Sequence, residues 1–374
     1  MKIALVPSKL EIYSSYDFST GLDRQKIKRD NEKVNSFNFF DHDNLFLRKL
    51  HLLLNKQKIE INHYKNFKKK EEIDLYYFIG YTKYHPKILD KIPQNKLKIL
   101  HINEPPAVNE MMHKSEIHKK FDYVFTSNRE LVDNKKFFYI NCVTTISKKN
   151  KKIITRKNFF SCFVAANRPL FHSTSYYEKK IELIDWFEKH NPSKLHLYGT
   201  EWDQFKMTGN GKLSKKIKNA FILKTLNKII HAIYKIPILN KFIKNNLKIY
   251  QGTIKNKVKT ISDYKFDFCI ENSNYPGFMT ARIFHSFFAG TVPIYLGADD
   301  FEDFIPKNCY INFKDFNSIV DLYYYLDNMS EENYNNYIEN ISDFLRSEKF
   351  KYLTLERDVV FINKKFLSFL KISQ

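Results

Sequence analysis

The 374-residue chain predicts an α/β protein of two domains, each built on a parallel sheet. Three observations carry that prediction. Short apolar runs alternate with helical stretches through the first half of the chain. A basic, weakly periodic stretch at 148–157 interrupts the alternation, which then restarts. Residues 264–297 read as one strand–loop–helix–strand unit. At ~100–200 residues per domain the length holds two domains, each able to bury its own core.

The opening run MKIALVP is a strand; it is short and lacks a small-residue cleavage site, so it does not read as a secretory leader. Runs at 3–6, 75–79, 97–102, 123–125 and 137–143 supply the first sheet, with a helix at 44–54 among the crossovers. These fill a first domain, 1–150, and 148–157 is read as the linker. The second domain, 158–350, starts with a strand at 159–166, a helix at 177–190 and a strand at 195–198. It resumes at 266–270 after a basic insertion, 211–249. The tail, 351–374, is read as a helix returning to the first domain.

Hydrophobic residues make up 43% of the chain and charged residues 28%, with 34 Phe and 24 Tyr, a balance that excludes disorder as the main state. The charge-free stretch 283–298 is broken by Gly290, Pro293 and Gly297, whereas a spanning helix needs ~20 apolar residues in a row, so no transmembrane helix is expected. Cys142, Cys162, Cys269 and Cys309 lie 20, 107 and 40 residues apart. That spacing suits neither a zinc site nor a disulfide framework, and they read as reduced core residues of a cytosolic protein.

Sixty-two Lys and Arg against 41 Asp and Glu give +21, which favours an anionic partner: a membrane surface, nucleic acid or a phosphorylated substrate. AT-rich codon usage would inflate lysine without any partner. Location separates the two readings, because 211–249 holds ten lysines and no acid. Within it Ile217, Phe221, Leu226, Ile229, Ile230 and Ile233 fall near helical spacing, and Pro237 interrupts before Ile238, Leu239, Phe242 and Ile243. A basic amphipathic helix pair is expected, either lying on anionic lipid at the cytoplasmic face of a membrane or covering the core as a solvated helix. No zinc-finger, aromatic RNA-binding or GxxG signature accompanies the charge, so nucleic acid is not an expected partner.

In YKFDFCIENSNYPGFMTARIFHSFFAGTVPIYLG, 264–297, Glu271, Asn272 and Ser273 leave the carboxyl end of a strand, where doubly wound sheets bind ligands. Thr280 is the expected N-cap and Gly290 the stop of a helix whose Ile283, Phe284, Phe287 and Phe288 face the core. Arg282 in its first turn opposes the helix dipole by ~0.3–1 kcal/mol unless an anion is present. A bound phosphate reverses that penalty; an arginine extended into water is the alternative. On this reading, removal of Arg282 leaves the stability of the empty protein unchanged or raises it. Glu271 is equally a structural carboxylate bonding backbone amides.

At these residues the sequence resembles the family-ten α1,3-fucosyltransferases. It carries Tyr250-Gln251-Gly252, Lys257, Tyr264-Lys265-Phe266, Glu271-Asn272-Ser273, Phe278-Met279-Thr280-Ala281-Arg282, Ala289-Gly290, Val292-Pro293 and Gly297 in the family's order. A weaker likeness runs upstream through 162–167 and 195–199. The resemblance implies a GT-B fold, two Rossmann-like domains facing a cleft, with GDP-fucose in the second and the acceptor in the first. It implies inversion without an obligatory metal. The donor-binding residues carried over are Arg168, Tyr250, Lys257, Glu271, Asn272, Ser273, Phe278, Thr280 and Arg282, with Arg282 at the motif's lysine and Phe278 at its tyrosine. Arg168, Lys179 and Lys180 are candidates for the family's second arginine. Ala281 stands where the family has glutamate, which keeps another nucleotide sugar open as the donor.

The family's base is a glutamate near the end of a first-domain strand, and ILHINEPPAVN offers Glu104 there, stiffened by Pro105-Pro106; Glu110 is its rival, and a loop acid without catalytic duty the alternative. The expected function is inverting transfer of fucose from GDP-fucose to a hydroxyl of a bacterial surface glycan of lipopolysaccharide type. The expected partners are a nucleotide sugar, an oligosaccharide or glycolipid acceptor, and the periphery of an anionic inner membrane. The competing class is a non-catalytic basic protein that binds membrane or nucleic acid through 211–249.

Overall fold

The computed structural model describes residues 1–7, 16–17, 22–23, 41–141, 156–206, 220–234 and 245–371. They form two compact units. The first comprises Met1–Asn150, Tyr275–Ala281 and Glu348–Gln374; the second comprises Lys151–Asn274 and Arg282–Ser347.

In the first unit six strands, β1 (Lys2–Pro7), β2 (Glu60–His63), β3 (Leu75–Ile79), β4 (Leu97–His101), β5 (Tyr123–Thr126) and β6 (Phe137–Tyr139), pair in parallel in the order β2-β1-β3-β4-β5-β6. Successive residues of one strand feed opposite faces. Ile3, Leu5, Tyr77 and Ile99 pack with Leu47, Leu50 and Leu54 of α1 (Asp41–Lys56) and with Val359, Ile362 and Phe366 of the carboxyl-terminal helix Leu355–Phe369. Ala4, Val6, Tyr76, Phe78 and Leu100 pack with Met112, Ile117 and Phe121 on the other side. A parallel sheet covered on both faces needs apolar residues at both parities, which is why these strands read as continuous apolar runs.

Asp358 is buried where the carboxyl-terminal helix meets the sheet. Its Oδ1 accepts from Asn141 Nδ2 (3.1 Å) and Arg357 Nη1 (2.9 Å), while its Oδ2 is buried without a partner. Burial raises its pKa to about 7, against the lowering influence of Arg357 and Asn141. A carboxyl group whose folded pKa exceeds its unfolded value opposes folding when ionised, so stability is lost as pH rises from about 4 through 7. Asp358→Asn is expected to raise the melting temperature at pH 8 and to change it little at pH 5. Equal effects at both pH values would remove Asp358 as the source.

In the second unit β7 (Phe159–Val164), β8 (Leu195–Tyr198), β9 (Tyr264–Ile270), β10 (Val292–Leu296) and β11 (Ile311–Asn312) pair in parallel in the order β8-β7-β9-β10-β11. Phe163, Leu197, Phe266, Phe268 and Ile294 make its core with Leu183, Ile184 and Phe187 of α2 (Tyr177–His190) and with Leu322 and Leu326. In both sheets the chain order reverses beside the first strand. Crevices therefore lie at the carboxyl ends of β1 and β3 in one unit and of β7 and β9 in the other.

Several sequence expectations change. The strand Glu60–His63 is too polar, and Ile311–Asn312 too short, for periodicity to find. The run at 137–143 stops pairing at Tyr139, and Cys142 lies outside the described residues; Cys162, Cys269 and Cys309 are buried free thiols. Most of the 148–157 stretch lies outside them too. Lys157, however, is an anchor rather than linker, because its Nζ donates to the carbonyls of Ser262 (2.8 Å) and Ala289 (3.1 Å) and to Thr291 Oγ1 (3.1 Å).

Of the basic insertion, α3 (Ala220–Tyr234) and 245–249 are described; Pro237 and the second apolar run are not. Leu223 is the buried residue of α3, while Phe221, Ile222 and Ile229 are 77%, 45% and 50% exposed. The apolar face drawn through Phe221 and Ile229 is thus turned outward. The helix is oriented instead by Leu223, by His231 Nδ1 against Gln204 Oε1 (3.3 Å) and by Tyr234 donating to Asp203. Among the described residues no helix is long and apolar enough to cross a membrane.

Candidate functional site

The crevice between β7 and β9 collects the charged residues of the second unit. β9 delivers Glu271, fully buried, and its backbone amide extends the ladder by donating to Leu296 O at 2.8 Å. The next three residues are pinned by the segment ahead of α2. Tyr176 N donates to Asn272 O (3.2 Å), Asn274 N donates to Thr174 O (2.8 Å), and the hydroxyls of Thr174 and Ser273 lie 2.7 Å apart. The loop is therefore held by its backbone, and the Asn272 side chain is left to face α2. There Asn272 Oδ1 accepts from the buried Lys180 Nζ at 2.9 Å.

The helix α4 (Arg282–Ala289) begins where the chain enters the second unit and ends at Gly290, whose φ of +63° is the left-handed stop the sequence predicts. The helix starts at Arg282, and the preceding 275–281 belongs to the first unit. Arg282 spans the crevice. Its Nη1 donates to Val164 O at the end of β7 (2.9 Å), and its Nε lies 3.6 Å from Glu271 Oε2 at the end of β9. The guanidinium thus has an anion in the ligand-free protein. That overturns the expectation of an unopposed cation at the helix start: the partner is Glu271, at the end of β9 in the same strand–loop–helix unit.

Lys257, at the start of the short helix Lys257–Ile261, completes a cluster of three cations with Lys180 and Arg282. Burial holds the Lys180 ammonium well below the ordinary lysine range, and Arg282 pushes it further down; Glu271 acts in the opposite direction. Lys257 is lowered by the same two causes, burial first. Beneath them Asp267, raised by burial, accepts from Ser286 Oγ (2.7 Å) and from the thiols of Cys162 and Cys269 (both 3.5 Å). Burial beside this carboxylate raises both thiols, so they are inert. Three cations against Glu271 and Asp267 leave an excess of positive charge that a bound anion would offset.

Not every expected residue joins this cluster. Tyr250 donates its hydroxyl to Gly199 O (2.8 Å), and Ser273 is engaged with Thr174. Phe278 is buried in the first unit, and Thr280 belongs to that unit too. Of the three candidates for the second phosphate-binding cation, Lys180 meets Asn272, and Lys179 is exposed and paired with Glu182 (2.8 Å). Arg168 is exposed on a cavity of about 370 Å³ that it shares with Asn167, Phe171, Lys206 and Lys224. Asp267 was missed, although an acid inside the apolar run YKFDFCI was a signal.

In the first unit Glu104 follows β4, half-buried in a turn closed by Pro105, whose carbonyl accepts from the amides of Val108 and Asn109 (both 3.0 Å). The Glu104 carbonyl accepts from His113 Nε2 at 2.8 Å. Glu110 is exposed at the start of the turn Glu110–His113. Sequence reasoning missed His113, Asn128 and Tyr275, which meet only in three dimensions: Tyr275 OH lies 3.1 Å from His113 Nδ1 and accepts from Asn128 Nδ2 at 3.2 Å.

Residues 214–358 match the model described as Glycosyltransferase family 10 (fucosyltransferase) C-term. The chain is 37% identical over 81 residues to 4-galactosyl-N-acetylglucosaminide 3-alpha-L-fucosyltransferase 9 of Mus musculus, which covers 21% of this chain and 23% of that protein. It is 31% identical over 131 residues to alpha-(1,3)-fucosyltransferase FucT of Helicobacter pylori, which covers 30% and 27%. The chain thus spans about a quarter of the length of these relatives. Its fold is similar to the crystal structure of an alpha1,3-fucosyltransferase (TM-score 0.51, 16% identity, 97% of this chain and 88% of that one). It is also similar to the DNA modifying enzyme beta-glucosyltransferase (TM-score 0.51, 11% identity, 98% and 99%). These likenesses establish the fold, the GT-B class with its two parallel sheets.

Proposed function

Because residues 214–358 match the carboxyl-terminal model of glycosyltransferase family 10, we propose that this protein is an inverting α1,3-fucosyltransferase using GDP-fucose. The carrying observation is the cluster of Lys180, Lys257 and Arg282 around Glu271 and Asn272 at the β7/β9 crevice. Its chemistry suits a diphosphate, which supplies counter-charge to the buried Lys180 and half-buried Lys257 ammonium groups. In the reaction Glu104 takes the proton of an acceptor hydroxyl, and the oxygen attacks the anomeric carbon. The bond from that carbon to the diphosphate oxygen breaks, and its electron pair leaves on GDP, whose growing charge the three cations stabilise. By analogy with 4-galactosyl-N-acetylglucosaminide 3-alpha-L-fucosyltransferase 9, the acceptor is a 4-galactosyl-N-acetylglucosaminide; the alternative is the lipopolysaccharide-type surface glycan expected from the sequence.

Thermal unfolding with GDP, UDP, CMP and dTDP tests this reading. A nucleotide at 100 times its Kd stabilises by ~2.7 kcal/mol, and GDP is expected to give the largest shift. A larger shift with UDP or dTDP would replace fucose by another nucleotide sugar. No protection by any of the four would favour the non-catalytic class.

The exposed Phe221, Ile222 and Ile229 beside Lys224 and Lys228 support a peripheral position on the inner face of an anionic membrane. Binding to phosphatidylglycerol vesicles is expected to weaken with salt and on changing Lys224 and Lys228 to Gln. Equal binding to phosphatidylcholine vesicles would contradict the electrostatic part. Lys215, Lys216 and Lys218 lie outside the described residues.

A further inference from the structure

A chain of hydrogen bonds in the first unit joins the 275–281 loop to the main chain of Glu104. Asn128, fixed by accepting from Glu130 N (2.9 Å) and donating its own amide to Thr126 Oγ1 (3.1 Å), gives an amide hydrogen to Tyr275 OH (3.2 Å). Tyr275, having accepted there, donates to His113 Nδ1 (3.1 Å), and His113 Nε2–H donates to Glu104 O (2.8 Å). These links are satisfied by a neutral His113 with its hydrogen on Nε2. The Tyr275 and His113 rings also meet edge to face, centroids 5.1 Å apart.

The loop is held at a second point. Gly277 sits at φ +68°, and a Cβ there would lie 1.9 Å from Ser127 O, so the backbone approaches the β5 end more closely than any side chain permits. The same loop continues without interruption into Arg282.

We propose that Tyr275 and His113 are positioning residues: together they tie the Glu104 backbone to the 275–281 loop of the same unit, so that the acid is held in one place. The inference rests on Glu104 being the base. A peptide carbonyl gripped on one side only would let the Pro105 turn rotate, and a displacement of ~1 Å at a reacting group costs up to ~100-fold in rate.

The test measures release of GDP from GDP-fucose with a 4-galactosyl-N-acetylglucosaminide acceptor. Tyr275→Phe, which keeps the ring and removes only the hydroxyl, is expected to lower kcat about tenfold. Donor KM and melting temperature should stay close to wild type. His113→Ala should do the same, and the double variant should be no worse than the poorer single, since both cut one chain. In a Glu104→Gln background Tyr275→Phe should change the residual rate less than about twofold, a result that general loosening of the unit would not give. Wild-type turnover in Tyr275→Phe, or multiplicative losses in the double variant, would overturn the positioning role even with Glu104→Gln inactive. Wild-type turnover in Glu104→Gln would instead remove the base reading, and an inactive wild type the proposed reaction, and the inference with either.

Discussion

Glu104→Gln is expected to lower turnover by at least ~100-fold, the ordinary contribution of a general base, with the affinity for GDP close to wild type. Glutamine preserves the size and hydrogen-bonding reach of the side chain but cannot take a proton, so the loss isolates basicity from shape. The position favours Glu104 over Glu110. Glu104 leaves the carboxyl end of β4, the strand next to β3, and its backbone is fixed by Pro105, Pro106 and His113. Glu110 is exposed on the following turn, and Glu110→Gln should therefore be near neutral. Wild-type rates in Glu104→Gln would take this residue out of the mechanism.

The second large effect is expected at Arg282. Arg282→Ala should weaken binding of the nucleoside diphosphate by ~1.5–3 kcal/mol, as for a charge-assisted hydrogen bond, while the bare nucleoside binds nearly as before. It should also lower the stability of the ligand-free protein. Glu271 is fully buried, and without Arg282 it loses the cation at 3.6 Å; Lys180 and Lys257 remain beside it, so the expected loss is smaller than the ~3–5 kcal/mol of an isolated buried pair deprived of one member. The dipole penalty of ~0.3–1 kcal/mol relieved by removing the charge is smaller. Arg282→Lys keeps the charge and should retain much of both. Diphosphate and nucleoside affinities falling equally would show that this helix start is not where phosphate binds.

The restart of alternation after the basic stretch, the strand–loop–helix–strand unit and the stop at Gly290 were all legible in the sequence. Each is a short-range property: pleat parity, helical period and backbone conformation depend on residues a few positions apart. Placement of Glu271 and Asn272 at a strand end followed from the same reasoning. Other features were illegible because their partners are distant in the chain. The lysine that meets Asn272 is 92 residues away. Tyr275 reaches His113 across 162 residues.

The buried Asp267 and the outward turn of Phe221 were decided in the same way. The first is tolerable because Lys257 opposes its charge and Ser286 and two thiols hydrogen-bond it, and the second follows from how Leu223 and Tyr234 seat the helix. By itself, then, the sequence determined the two parallel α/β sheets and the strand end that bears the charged residues, because these are written in local periodicity. Only the tertiary structure decided which cations share that crevice and which partner each side chain has, because burial and pairing arise when segments remote in sequence exclude water together.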